Sequence, residues 1–301
     1  MPFFAPSVAP FDLHNHTYWS YDAATHPDTY FRRARELGIR AFAVTEHHHL
    51  LSWPELQIVA RAYPEIRLIR AAEISVSCSI GGVDLLCYGI PEGPHAALDA
   101  LFAASRKWEH ANGASISRGL EILGFPFSEA DRLRLMLTYR PAHAVAAHGP
   151  THIKNGVLRA YLVARGVIGS EDRYDELRAR IRKLTKPAPY PPASEIVPVL
   201  KAARVLVALA HPHGYFDQGD RARMDTLRAE LQLDGIECAH PGVPPEFTPV
   251  YRAYCVEHGL VSVGGTDNHS DEEAHAHFGR HLGAADWLDE FLERLDRKNR
   301  A

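Results

Sequence analysis

One pairing recurs along this chain and constrains its fold more than any other feature: a short apolar run of strand character, closed at once by histidines and carboxylates. Asp12-Leu13-His14-Asn15-His16 follows the apolar residues Phe3, Phe4, Val8 and Phe11, and Thr45-Glu46-His47-His48-His49 follows Ala41-Phe42-Ala43-Val44. Ala210-His211-Pro212-His213 and Thr266-Asp267-Asn268-His269 repeat the arrangement in the last third of the chain. Side chains alternate across a strand, so His14 and His16 point to one side and their imidazoles converge above it, which suits a metal ion. A lone His-x-His carries little weight in a chain with 19 histidines among 301 residues. Four clusters, each at the end of an apolar run, carry more.

At 46% hydrophobic residues the chain can bury a sizeable core, as one large domain or as a domain with an insertion. A net charge of −4 provides no overall basic field for a nucleic-acid duplex, although a short single strand or a small anion needs only a few cations. No apolar run approaches the roughly 18 residues of a membrane span. The N-terminus lacks a basic segment followed by an apolar one, so no secretion signal is read and a cytoplasmic protein is expected. Cys78, Cys87, Cys238 and Cys255 show no CxxC spacing and sit in apolar runs, which predicts buried free thiols in a reducing compartment.

Between the clusters the chain reads as alternating strand and helix. Pro27 and Asp28 open a helix with Tyr30, Phe31, Ala34 and Leu37 at helical spacing, and Gly38 ends it. A second helix, near Trp53 to Tyr63, leads to a strand ending at Glu73, and Gly81-Gly82 leads to a fourth strand over 83–88. This alternation is the signature of a parallel α/β architecture. From about residue 92 the rhythm changes, and helices are predicted over 94–111, 115–123, 128–138, 155–166 and 171–185. Lys186-Pro187-Ala188-Pro189-Tyr190-Pro191-Pro192 reads as a stiff linker. Alternation then resumes with helix 194–203, strand 204–210, helix 221–232, strand 234–239, helix 245–258, strand 260–264 and a closing amphipathic helix over 286–297. The expected domain plan is a seven-stranded unit made of 1–93 and 190–301, interrupted between strands four and five by a helical insertion over 94–189. Gly81-Gly82 and Gly264-Gly265 read as tight turns rather than as phosphate-cradling loops.

In parallel α/β folds, sites gather at the carboxyl ends of the strands. His14 and His16, His47, Glu73, His211, and Asp267 with His269 all fall there, and Asp84 adds a sixth strand. A loop or core histidine explains any one of them, but not easily all six.

These motifs resemble those of the polymerase and histidinol phosphatase (PHP) superfamily, metal-dependent phosphoesterases on a distorted seven-stranded α/β barrel. Asp12-Leu13-His14-Asn15-His16-Thr17 resembles the first motif, Thr45-Glu46-His47 the second, Ala210-His211-Pro212 the third and Gly265-Thr266-Asp267-Asn268-His269 the fourth. Glu73 in Ala-Ala-Glu-Ile-Ser matches the bridging glutamate. The resemblance is closer still to a subgroup with a helical insertion at this place, which includes nucleoside 3′,5′-bisphosphate phosphatases and exonucleases that trim RNA from the 5′ end. Asp234-Gly235-Ile236-Glu237-Cys238-Ala239-His240-Pro241 is similar to that subgroup's segment before the last strand. The resemblance implies one ion on His14, His16, Glu73 and Asp267, a second on Glu73 and His211, and a third on Asp22, His47 and His269. Two or three divalent ions are therefore expected; imidazole with carboxylate suits Mn, Zn or Fe, and Mg remains possible. Three positions depart from the pattern: Asp84 stands where the family has histidine, Glu46 replaces the common aspartate, and the loop carrying Asp22 is one residue longer. Asp84 can ligate through oxygen or hydrogen-bond a neighbouring histidine, and Glu46 reads as a group that orients a histidine.

The expected reaction is hydrolysis of a phosphomonoester by metal-activated hydroxide, with Asp267 in the catalytic set and His211, His213 or His240 protonating the leaving group. His240 is favoured by analogy, as the acid or a phosphate contact. The insertion is expected to cap the site and to bring Arg118, Arg132, Arg134, Arg140, His143, His148, His152 and Lys154 toward it. Of these, Arg118, Arg140 and His152, with His213 and His240, are the candidate substrate contacts. Pro150-Thr151-His152-Ile153 resembles the subgroup's Arg-Pro-His segment, with Gly149 in place of the arginine. The leading expectation is a small phosphorylated metabolite, most simply a nucleotide such as a nucleoside 3′,5′-bisphosphate. The alternatives are a 5′–3′ exonuclease on short RNA or DNA, a sugar or histidinol phosphatase, and an inactive metal-binding regulatory module. A (β/α)₈ amidohydrolase shares the His-x-His start but carries a metal-bridging lysine with no counterpart here. No membrane partner is expected, and the sequence sets no oligomeric state.

Overall fold

The computed structural model describes residues 8–300. Phe3 and Phe4 of the leading apolar run lie outside the described residues. The chain forms β1 (Phe11–Asp12), α1 (Pro27–Leu37), β2 (Ala41–Val44), α2 (Trp53–Ala60), β3 (Arg67–Cys78) and β4 (Gly81–Tyr88). Next come α3 (Ala96–Ile122), α4 (Glu129–Met136), α5 (Ala142–His148), α6 (Asn155–Ala164) and α7 (Tyr174–Thr185). The remainder is α8 (Ala193–Ala202), β5 (Leu206–Leu209), α9 (Arg221–Glu230), β6 (Gly235–Ala239), α10 (Thr248–His258), β7 (Val261–Gly264), α11 (Asp271–His277) and α12 (Ala285–Arg300).

The seven strands lie in sequence order, β1 to β7, in one sheet. Backbone bonds just past the two outer strands bring its edges together: Leu13 N–H donates to Gly264 O (2.9 Å), Asp267 N–H to His14 O (2.8 Å) and His16 N–H to Asn268 O (3.1 Å). The sheet is thereby closed into a distorted barrel, and the edge groups are satisfied as closure requires. It is not all parallel. β4 runs antiparallel to both β3 and β5, while the other neighbours are parallel. A two-residue turn at Ser79-Ile80 joins β3 to β4, so no crossover helix is needed there and the strand direction reverses.

Several local expectations give way to packing. Glu73 sits mid-strand, because β3 continues to Cys78 as one arm of the long hairpin. β1 is only two residues long, and His14 and His16 lie on its extended continuation. Asn112-Gly113 does not break the helix, and α3 runs unbroken through it. A Cβ at Gly113 would lie 2.4 Å from Thr151 O, so the glycine serves a close approach between helix and loop. Gly265 is likewise no turn: a Cβ there would lie 2.2 Å from that of His14. The short helices α5 and α11 carry too few turns for periodicity to reveal.

One hydrophobic cluster fills the barrel and the layer under α8, α10 and α12, with Phe11, Leu85, Leu209, Ile236, Tyr251 and Phe291 among its members. A second holds α3 to α7 together through Leu120, Met136, Leu158, Leu162, Leu177 and Ile181. The segment after α7 is pinned, not free: Ser77 N–H donates to Pro191 O (2.9 Å), and the Tyr190 ring lies against Gly82. All four cysteines are free, three buried and Cys78 half-buried. Among the described residues no helix is long and apolar enough to cross a membrane.

At the end of the barrel where β6 starts, Asp234 ties three elements together. Its Oδ2 accepts from Lys201 Nζ (2.6 Å) on α8, Lys298 Nζ (3.1 Å) on α12 and Val207 N–H (3.0 Å) on β5. Burial pushes this carboxyl up, but Lys201 outweighs it and holds the pKa below the usual 3.8. A depressed folded-state pKa gives stability that is complete above about 3.8 and is lost as pH falls through the folded value. Asp234→Asn is expected to cost about 1–3 kcal/mol at pH 7. The gap to wild type should narrow as pH falls below 4, measured by urea denaturation at a series of pH values.

Candidate metal centre

The mouth of the barrel is built around Glu73, whose carboxylate is buried on β3. Its Oε2 lies 3.3 Å from His14 Nε2, 3.2 Å from His16 Nε2 and 3.3 Å from His47 Nδ1, and its Oε1 lies 3.2 Å from His211 Nε2. Asp267 Oδ1 closes the next position, 3.3 Å from His14 Nε2 and 3.1 Å from His16 Nε2. Asp22 Oδ2 spans His47 Nε2 (3.3 Å) and His269 Nε2 (3.4 Å). Asp84 joins through Oδ2, 3.7 Å from His211 Nε2. It reaches the mouth because β4 is antiparallel, which puts the first half of that strand beside the second halves of its neighbours. All nine candidate ligands, His14, His16, Asp22, His47, Glu73, Asp84, His211, Asp267 and His269, are thus gathered in one region.

Ligand-type atoms within 4.8 Å of one another form four overlapping groups: His16-His47-His269, His14-His16-Glu73, His14-Glu237-His240 and Glu73-Asp84-His211. His16 Nε2, Asp22 Oδ1, Asp267 Oδ1 and His240 Nε2 are buried and have no hydrogen-bond partner among the described residues. Unpartnered buried polar atoms are costly, and those of His16, Asp22 and Asp267 in one mouth form a donor set that divalent cations would satisfy. The chemistry of the set, imidazole nitrogen with carboxylate oxygen, fits such ions.

Burial works against charge throughout, yet the groups sustain one another. Burial pushes Asp22, Glu73 and Asp267 up, but their histidine neighbours overcome it and hold each carboxyl well below the usual range. Burial pulls His47, His211 and His269 down, and their carboxylate neighbours, Asp22 and Glu73 foremost, raise them to about 10, 9 and 9. The backbone is strained here too. His48 (φ 60°), His211 (φ 28°) and Asp267 (φ 53°) adopt left-handed conformations that only firm surroundings maintain.

A supporting layer sets the ligands. Glu46 accepts from Thr17 Oγ1 and from Ser20 Oγ (2.6 Å), and Ser20 Oγ lies 3.2 Å from His16 Nδ1, so Glu46 reaches that histidine through a hydroxyl. Asp12 accepts from Thr266 Oγ1 (2.5 Å), Thr266 N–H (3.1 Å) and Gly279 N–H (2.8 Å), fixing the first motif against the fourth. Asp84 is steadied by the hydroxyls of Ser75 (2.5 Å) and Tyr215 (2.7 Å).

Sequence reasoning passed over one central residue. Glu237, fully buried on β6, places Oε1 3.0 Å from His14 Nδ1, and its Oε2 accepts from His211 N–H (2.6 Å). Its signal is plain in retrospect: a glutamate inside Gly235-Ile236-Glu237-Cys238-Ala239 must be paired if that run is a buried strand.

The candidate substrate contacts separate. His240 stands at the mouth, Nε2 3.6 Å from Asp267 Oδ2. His152 lies beside it on the side of α3, its ring 3.6 Å from that of Tyr21, and burial holds it neutral with a pKa of about 3. His213 turns away to Tyr251 Oη (3.0 Å), against Phe247. Arg118 is exposed on α3. Arg140 is buried, and its guanidinium is taken up by the carbonyls of Tyr18 (2.7 Å) and Trp19 (2.8 Å). Of the others, Arg132 bonds Ser117 and Pro150 O, Arg134 pairs with Asp131 on the surface, and His148 with Glu109. His143 packs on Tyr18 and Trp19, and the Lys154 N–H donates to Tyr139 Oη.

A cavity of about 530 Å³ adjoins the mouth between α3, α6, α7 and residues 187–190. Tyr21, Trp108, His152 and Tyr190 line its near part, and Leu158 and Ile181 its apolar part.

Barrel and clusters together have the form of the PHP-type metal-dependent phosphoesterases. A PHP domain model matches residues 12–148. A protein from Bifidobacterium adolescentis, assigned as a metal-dependent phosphoesterase, superposes with a TM-score of 0.70 at 25% identity, over 96% of this chain and 97% of that one. A structure from Chromobacterium violaceum, named an amidohydrolase and holding sulfate, shares the fold with a TM-score of 0.71 at 23% identity, over 96% and 97% of the two chains. No curated protein sequence matches. The chain thus carries a barrel of the PHP form, and the match to the PHP domain spans residues 12–148.

Glu237→Gln keeps the shape but removes the charge that orients His14. It is expected to weaken Mn²⁺ binding about 10- to 100-fold with little loss of fold, read by metal titration of stripped protein.

Proposed function

We propose that this protein hydrolyses a phosphomonoester of a small metabolite, a nucleotide such as a nucleoside 3′,5′-bisphosphate. The observation that carries this reading is the set of unpartnered buried atoms around Glu73, beside a cavity of small-molecule size. His14, His16, Glu73 and Asp267 would hold one divalent ion, Glu73, His211 and Asp84 a second, and Asp22, His47 and His269 a third. Bound ions there supply a water of lowered pKa and a clamp for the phosphoryl oxygens. Nitrogen with oxygen ligands favours Mn, Zn or Fe over Mg.

The chain's own groups supply the rest. Gly242 N–H donates to His240 Nδ1 (2.8 Å), so the ring proton of neutral His240 resides on Nε2, which faces the mouth. In this reading that N–H protonates a departing alkoxide, the role expected of His211, His213 or His240. His213 is occupied elsewhere, and His211 is engaged by Glu73.

The cavity supports a nucleoside-sized leaving group. Its near part is aromatic, with Trp108 and Tyr190 rings 4.5 Å apart, which offers planar faces for a base, and its apolar part excludes water. A nucleic-acid strand has less to recommend it, because the buried arginines Arg132 and Arg140 are spent on internal partners and the chain is acidic overall.

The test is phosphate release from adenosine 3′,5′-bisphosphate by stripped protein refilled with Mn²⁺. Release should need both the metal and His14, falling to background in His14→Ala. Ile181→Trp, which fills the cavity, should raise KM about tenfold or more with kcat nearly unchanged, the pattern of lost uniform binding. No release from this nucleotide while simple phosphomonoesters turn over would sink the nucleotide reading.

A further inference from the structure

The loop that carries Asp22 is held from outside the barrel. Between Thr17 and Asp22 the chain crosses from the first motif to the putting-in-place of a carboxylate beside His47 and His269, with no regular structure to stiffen it. Two consecutive side chains from the turn between α4 and α5 grip its carbonyls. Arg140 donates through Nε to Tyr18 O (2.7 Å) and through Nη2 to Trp19 O (2.8 Å), and Tyr139 Oη donates to Tyr21 O (2.5 Å), the residue before Asp22.

The grip is itself braced. Glu109 on α3 lies 3.0 Å from His148 Nε2, which leaves His148 Nδ1 free to accept from Arg140 Nη2 (3.1 Å). Tyr139 Oη in turn accepts from Lys154 N–H (3.1 Å). His49 Nε2, 3.1 Å from Trp19 O, adds a contact from the barrel, and its ring lies 4.3 Å from that of His148. The path from α3 to Asp22 is therefore continuous and, at Glu109, His148 and Arg140, almost wholly shielded from water.

We propose that Arg140 and Tyr139 are positioning residues for Asp22, so that the ion site formed by Asp22, His47 and His269 is complete only when the α3–α7 region is docked on the barrel. This rests on reading Asp22 as a ligand. The sites around Glu73 draw their ligands from the barrel strands and their ends, and the loop meets them through Thr17 and Ser20, whose hydroxyls Glu46 of the barrel holds independently of the grip. Linkage makes the coupling reciprocal: an ion at Asp22 must also steady α4 and α5.

The experiment is Mn²⁺ titration of stripped wild type, Asp22→Ala, Arg140→Met, Tyr139→Phe and Arg132→Met, with bound metal counted after equilibrium dialysis. Arg132 is the control, an equally buried arginine of the same region whose bonds go to Ser117 and Pro150 and not to the loop. Arg140→Met is expected to weaken one ion about 10- to 100-fold and leave the rest, matching the ion lost in Asp22→Ala. Tyr139→Phe, which removes a single hydroxyl and keeps the packing, should weaken the same ion by a smaller factor. Hydrogen exchange over 129–148 should slow on adding Mn²⁺ to wild type and stay unchanged in Asp22→Ala. The proposal is overturned if Arg140→Met and Tyr139→Phe bind metal as wild type does, or if Arg132→Met loses the same ion. If Asp22→Ala itself keeps every ion, the ligand reading fails and the proposal goes with it.

Discussion

Closure of the barrel between its first and last strands is the constraint on which the rest depends. β1 and β7 are short, and the bonds that join them are made beyond the strands, by the backbone of Leu13 to His16 against Gly264 to Asn268. The residues that close the sheet are thus the residues of the first and fourth motifs. Asp12 reinforces the seam by accepting from Thr266 and Gly279, and Gly265 allows it by leaving room for His14. A side chain at 265 would push the strands apart and separate His14 and His16 from Asp267 in the same movement.

The antiparallel hairpin is the second determinant. In an all-parallel barrel each strand would contribute from its carboxyl end alone, and Glu73 would need to terminate β3. Here β3 runs five residues past Glu73, and β4 returns beside it so that Asp84 faces the same mouth from the opposite direction. The cost of gathering so many carboxylates in a buried space is offset by interleaving them with imidazoles. The depressed carboxyls and raised histidines are two views of one arrangement.

What the sequence makes legible follows from the range of the interactions involved. Strand and helix alternation, the Gly38 cap with φ 70° and the gathering of His14, His16, His47, Glu73, His211 and Asp267 rest on local pattern, and the structure brings those residues together. The reversal at β4 is not legible, because a strand's direction depends on its partner. Glu237 is hidden for a related reason: its meaning depends on His14, more than 220 residues away in the chain. Arg140 and His213 read as cations or polar groups near a motif, yet only tertiary contacts reveal that the loop carbonyls and Tyr251 claim them first. Gly113 shows the same limit in reverse, a helix breaker by propensity that is kept for the close approach of Thr151.

The helical region between β4 and β5 also has a double role that neither cluster of apolar residues explains alone. Its own core makes it coherent, Leu98, Leu101 and Phe102 at the start of α3 join the apolar core of the barrel, and the contacts nearer the mouth are polar: Arg140 and Tyr139 on loop carbonyls, Trp108 Nε1 donating to Ala188 O, and Ser77 bonded to Tyr190 O and Pro191 O. A polar contact is directional, so it fixes register as well as proximity. The aromatic wall of the cavity and the loop bearing Asp22 are oriented by the same docking. A small molecule seated against Trp108 and Tyr190 would therefore lie close to Asp22, a carboxylate whose loop is held by the helices that enclose the cavity.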